Sequence, residues 1–133
     1  MIIMTISEEF YFEALKRLEE WSITVLVLQV IVFIVLASLC LFIDNNKIAK
    51  VRLWLTASVT FSAISILFAL NVIGTIPWST QRLPELSIKY QSIYQFPNYI
   101  GIPIWILAFS QHISFLFALL SFIIILYILI RSE

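Results

Sequence analysis

Residues 21–43, 53–81 and 90–130 of this chain contain no Asp, Glu, Lys or Arg. A helix needs about 20 apolar residues to cross a hydrocarbon core, so each run is long enough to span a bilayer. Inside lipid the backbone must satisfy its own hydrogen bonds, which helices do within a single segment. The chain is 62% hydrophobic and 12% charged, against roughly 25% charged for ordinary soluble domains. These features predict an all-α integral membrane protein, a three-span helical bundle forming a single membrane domain over 1–133. Eight basic and eight acidic residues cancel formally, so there is no electrostatic case for a nucleic-acid partner.

The first span, 21–43, follows an amphipathic stretch over 7–20. Ser7 is the expected N-cap, with Glu8 and Glu9 suited to the positive end of the helix dipole. Phe10, Ala14, Leu18 and Trp21 recur at helical spacing, and Glu13 and Arg17 stand at i,i+4 on the other side. With no breaker between stretch and span, one continuous helix is expected. Asp44-Asn45-Asn46 is a turn signal, and Lys47, Lys50 and Arg52 lead into a second span over 53–76. Gly74 and Pro77 are expected to end it. The 77–100 connection is too long for a plain turn. Pro84 at a first helical position, Glu85 beside it and a face of Leu86, Tyr90, Ile93 and Tyr94 suggest a short interfacial helix. Pro103 opens the third span, 103–130. The N-terminus lacks the basic region of a signal peptide.

Trp21, Trp54, Trp78 and Trp105 each fall near an expected span end, as does Tyr127. Indole and phenol rings favour the headgroup level, so this is an aromatic belt. Lys16, Arg17, Arg82 and Lys89 lie toward one side, and Lys47, Lys50, Arg52 and Arg131 toward the other. The tally ties. The dense Lys47–Arg52 turn favours the cytoplasmic side for that loop, with the N-terminus outside, in a cell membrane.

Helices in lipid associate through small residues and hydrogen bonds, so small and polar positions map their contacts. Ser22, Gln29, Ala37 and Cys40 share a face of the first span at 100° per residue, and Cys40, the only cysteine, is expected to be buried. Gln111, Ser114, Ala118 and Ser121 share a face of the third. Ser58, Ser62, Ser65 and Ala69 form a stripe on the second, with Thr56, Thr60 and Asn71 roughly opposite. The helix-packing residues are therefore Ser58, Ser62, Ser65, Ser114 and Ser121, and the second helix is expected to be central. Its second polar face would meet either a neighbouring helix or another subunit. By depth, Gln29, Asn71, Gln111 and His112 lie about 8–14 Å below one membrane side at about 1.5 Å per residue, a polar layer in one leaflet.

His112 is the only histidine and is expected to be neutral, donating one hydrogen bond across helices. No catalytic, cofactor-binding or metal-ligating set emerges. The only Asp, Asp44, is at the opposite end of the membrane from His112, and Gly74 and Gly101 are the only glycines. A Ser-His-Asp triad and a glycine-rich phosphate loop are thus excluded. The expected function is non-enzymatic: self-association in the bilayer as a homo-oligomer, pore-forming or membrane-perturbing, in the manner of a holin- or toxin-like effector. Two alternatives stay open. One is an accessory or anchor subunit of a larger membrane complex. The other is a haem- or quinone-contacting subunit of a redox complex.

Overall fold

The computed structural model describes residues 5–131. Helix α1 runs from Ile6 to Phe42 and α2 from Asn45 to Gln81. Short α3 covers Leu83–Lys89, a 3-10 turn covers Ile93–Gln95, and α4 runs from Ile104 to Arg131. The only β feature among the described residues is a single bridge between Pro97 and Pro103. Three of the helices are long and apolar enough to cross a membrane. The architecture is an all-α three-span membrane bundle. Along α2, Trp54 and Trp78 are separated by about 36 Å, and along α4, Trp105 and Tyr127 by about 33 Å, at about 1.5 Å per residue. Both spacings suit a hydrocarbon core of about 30 Å.

The start of α1 is fixed by Thr5 rather than Ser7. The Thr5 hydroxyl accepts from the Glu8 backbone N–H, and the Glu8 carboxylate accepts from the Thr5 N–H, a reciprocal capping box. The helix then continues unbroken through the first span. Its inward face near the N-terminus is carried by Leu15 and Leu18, with Tyr11 and Ala14 half-buried, whereas Phe10 and Trp21 are exposed. Helix α2 does not end at Gly74 or Pro77 but runs on to Gln81. Proline removes one backbone donor and crowds the carbonyl four residues earlier. Here Ile76 and Ser79 are buried on either side of it, so tertiary packing holds the last turn.

The three long helices share a buried seam with alternating steps of three and four residues. On α2 it reads Val51, Ser58, Ser62, Ser65, Ala69, Val72, Ile76, Ser79, and on α4 Ile104, Leu107, Gln111, Ser114, Ala118, Ser121, Ile125. On α1 it reads Leu15, Leu18, Ser22, Val25, Gln29, Leu36. Such a 3.5-residue period is the seam of a left-handed supercoil. Helix α2 packs along both α1 and α4, which barely touch each other. The second helix is central.

Two apolar clusters flank the middle of the bundle. Toward the α1–α2 turn, Leu36, Val51 and Ile125 pack together. At the other end, Leu18, Val72, Ile76 and Leu107 join Leu83, Leu86, Ile93 and Phe96 of the α2–α4 connection. The extension of α1 and the connection thus form a cap with its own core. The Tyr11 hydroxyl donates to the Tyr90 carbonyl at 3.1 Å, and the Tyr11 and Phe96 rings lie 5.6 Å apart.

Candidate functional site

Between the two apolar clusters lies a polar centre, built on Ser65. This residue is fully buried on α2, roughly midway between Trp54 and Trp78. Its hydroxyl accepts from Gln29 Nε2 of α1 at 2.5 Å and donates to the Gln111 carbonyl of α4 at 2.7 Å. One serine therefore ties all three spans. A hydroxyl can act this way because it offers one donor and two acceptor lone pairs. Two steps along the seam toward the turn, the Ser58 hydroxyl donates to the Ala118 carbonyl at 2.9 Å. The small serines let α2 and α4 approach closely enough for side chain to reach backbone.

Around this tie the polar inventory does not close. Gln29 Oε1, both side-chain polar atoms of Gln111, and the hydroxyls of Ser22 and Ser62 are buried without a hydrogen-bond partner. A buried unsatisfied group costs about 1–3 kcal/mol, and in hydrocarbon there is no bulk water to relieve it. Ser114 and Ser121 are buried on the same seam of α4 and face α2 with the stripe of Ser58, Ser62 and Ser65.

The polar residues expected to form one layer separate into three groups. Gln29 and Gln111 meet through Ser65. Asn71 instead contacts the connection: its Oδ1 accepts from Asn98 Nδ2 at 3.2 Å. Buried Asn98 organises that loop, because its Oδ1 also accepts from the Ile100 and Ile102 backbone N–H groups, each at 2.9 Å. Gly101 completes the turn at φ 98°, a conformation that glycine adopts without a Cβ penalty. His112 lies outside the seam. Trp21 Nε1–H donates to His112 Nε2 at 2.9 Å, and His112 Nδ1 stands 2.6 Å from the Ala108 carbonyl of its own helix. The two contacts coexist only with the proton on Nδ1. His112 does bridge helices, but as the acceptor of that interhelical bond, not its donor.

One expected placement is overturned. Ala37 and Cys40 are exposed, and Leu36 takes the buried position, because the seam drifts by about 20° per seven residues relative to a straight 3.6-residue stripe. Thr56 and Thr60 meet no neighbouring helix within the chain. Both are exposed, and the Thr56 hydroxyl donates to the Arg52 carbonyl of its own helix.

Sequence reasoning missed the roles of Asn98 and Trp21. The sequence places Trp21 in the helical repeat of the N-terminal stretch and in the aromatic belt, and nothing local marks it as the partner of His112, 91 residues away.

Comparisons with known proteins give no match to a family model, to a curated protein or to a solved structure.

Proposed function

We propose that this protein acts without enzymatic chemistry inside the membrane, associating with copies of itself and permeabilising the bilayer in the manner of a holin- or toxin-like effector. The observation that carries this reading is the polar centre. Gln29 and Gln111 are fully buried at membrane depth, yet three of their four side-chain polar atoms have no partner. A bundle built only to be an anchor would gain stability from apolar residues at these positions, since replacing unsatisfied polar groups by apolar ones of similar shape is neutral or stabilising. Retaining them fits a role in which polar matter meets the interior. Copies would meet through the outward faces of α1 and α4, where Ile31, Ile34, Leu120 and Ile123 are exposed. The serine stripe is consumed within the chain. In the cell membrane, the Lys47–Arg52 turn would face the cytoplasm and the N-terminus the outside.

Purified protein should run as an oligomer in mild detergent, and liposomes containing it should lose osmotic tightness to small solutes, ionic or neutral. A monomer that leaves liposomes tight to both would remove this reading.

The cap supports a second reading, an anchor for a larger complex. A groove of about 390 Å³ lies between α1 and the 3-10 turn, with Phe10, Tyr11, Ile93 and Tyr94 on its walls and Glu13 and Arg17 at its polar side. Affinity purification without a stoichiometric partner would count against this role. A haem or quinone role has the least support, because both ring nitrogens of His112 are already engaged.

A further inference from the structure

The unpartnered polar atoms at the centre are of a kind that selects what could enter. Gln111 offers an amide donor and a carbonyl acceptor, Gln29 a second carbonyl oxygen, and Ser62 a hydroxyl that both donates and accepts. All are neutral, and 21–43, 53–81 and 104–130 hold no charged residue. Such a site returns hydrogen bonds to a guest but no counter-charge. A neutral molecule with donors and acceptors recovers much of the hydration it gives up there. An ion does not, because the cost of removing its hydration shell is far larger and amide dipoles alone offset only part of it.

The flanking layers strengthen that distinction. Leu36, Val51 and Ile125 close the centre toward the turn, and Leu18, Val72 and Leu107 close it toward the cap. Apolar constrictions of this type exclude ions by dewetting, while a small neutral solute crosses them at lower cost. The order along the bundle is apolar layer, polar centre, apolar layer, all contributed by one chain.

We propose that the Gln29–Ser62–Gln111 centre is an occluded binding site for water and small neutral hydrogen-bonding solutes of urea or glycerol size, and that permeation runs through each protomer there and excludes ions. This deepens the permeabilising role proposed above and rests on it.

The test uses full-length protein in liposomes. Stopped-flow light scattering after an osmotic step with urea or glycerol reads neutral flux, and an entrapped potassium-sensitive dye reads ion flux. Neutral solutes should equilibrate well above the rate of protein-free vesicles while potassium stays at that rate. Gln111→Met, which keeps the volume and removes the amide, should lower neutral flux by roughly tenfold, the factor expected for losing one hydrogen-bonding contact. Ser62→Ala should lower it in the same direction and serves where Gln111→Met does not fold. Val51→Ala, which thins the apolar layer at the turn, should raise it.

Potassium and urea crossing together would show a wide aqueous pore, overturning this site while leaving the permeabilising role intact. So would folded Gln111→Met and Ser62→Ala proteins with wild-type urea flux, since the route would then run between protomers. Vesicles tight to both solutes would overturn the site and the permeabilising role together.

Discussion

Ser65→Ala should destabilise the bundle out of proportion to the single oxygen it removes. The substitution deletes the acceptor of Gln29 Nε2 and the donor to the Gln111 carbonyl. Measured interhelical hydrogen bonds in membranes average about 0.6 kcal/mol and reach about 1.7. The larger contribution is the Gln29 amide left buried without a partner, about 1–3 kcal/mol. Alanine leaves almost no cavity, so the total is about 2–4 kcal/mol. Gln29→Leu behaves differently. It loses the same bond but also removes an oxygen that is already unpartnered, so it should lie within about 1 kcal/mol of wild type. In the Gln29→Leu background, Ser65→Ala strands nothing on α1 and should cost only about 1 kcal/mol. The double-mutant cycle therefore has a coupling of about 1–3 kcal/mol. Reversible unfolding in mixed micelles, followed by far-ultraviolet circular dichroism, or steric trapping in bicelles would measure it. Additive single substitutions, or a Ser65→Ala protein within about 0.5 kcal/mol of wild type, would refute the claim that this hydroxyl joins the three spans.

Asn98→Ala should cost about 2–4 kcal/mol and loosen the 96–104 loop, since two backbone N–H groups and the Asn71 contact lose their partner, while Asn71→Ala should cost about 1 kcal/mol; equal effects on stability and on loop hydrogen exchange would contradict this order. Gly101→Ala should destabilise by about 1–2 kcal/mol, because alanine resists the positive φ there although space is open around a Cβ; an unchanged melting temperature would count against it. Cys40 faces outward from the bundle, so Cys40→Phe should leave stability within about 0.5 kcal/mol of wild type; a loss of about 2 kcal/mol or more would show that the site is covered by the protein.

How far the fold could be read in advance depends on which physics acted locally. The charge-free runs and the tryptophans near their ends express the bilayer's demand on every residue, and they lead directly to the three spans. Serine spacing likewise placed Ser58, Ser62 and Ser65 together, because close approach of helices in lipid selects small side chains along one stripe. Failures occurred where a distant element decided. Pro77 is a local stop signal, but α2 continues past it because Ile76 and Ser79 are held in the cap. Asn98 had no local reason to matter, since its partners Asn71 and Ile102 become neighbours only once the connection folds back onto α2. At Cys40 the error lay in the period. A 100° stripe extrapolated from Ser22 accumulates enough drift over the length of a span to exchange Leu36 for Ala37.

That seam also decides which surface is left for self-association. On the second polar face of α2, Thr56 and Thr60 meet no neighbouring helix within the chain, and Asn71 finds its partner in the connection rather than in a neighbouring span. Centrality comes instead from a single seam wide enough to take α1 on one flank and α4 on the other, with Ser65 bonded to both. The small-residue stripe is therefore spent inside the chain and cannot also serve a second copy. A bulky residue there should act on folding: Ser62→Leu forces a large side chain into a fully buried position and should cost about 1–3 kcal/mol. Ile123→Ala, on the exposed face of α4, should leave the fold intact and weaken association. Sedimentation in density-matched detergent alongside an unfolding titration separates the two effects. If Ser62→Leu dissociates the oligomer while protomer stability is unchanged, the stripe lies between copies and the packing described for α2 and α4 is wrong.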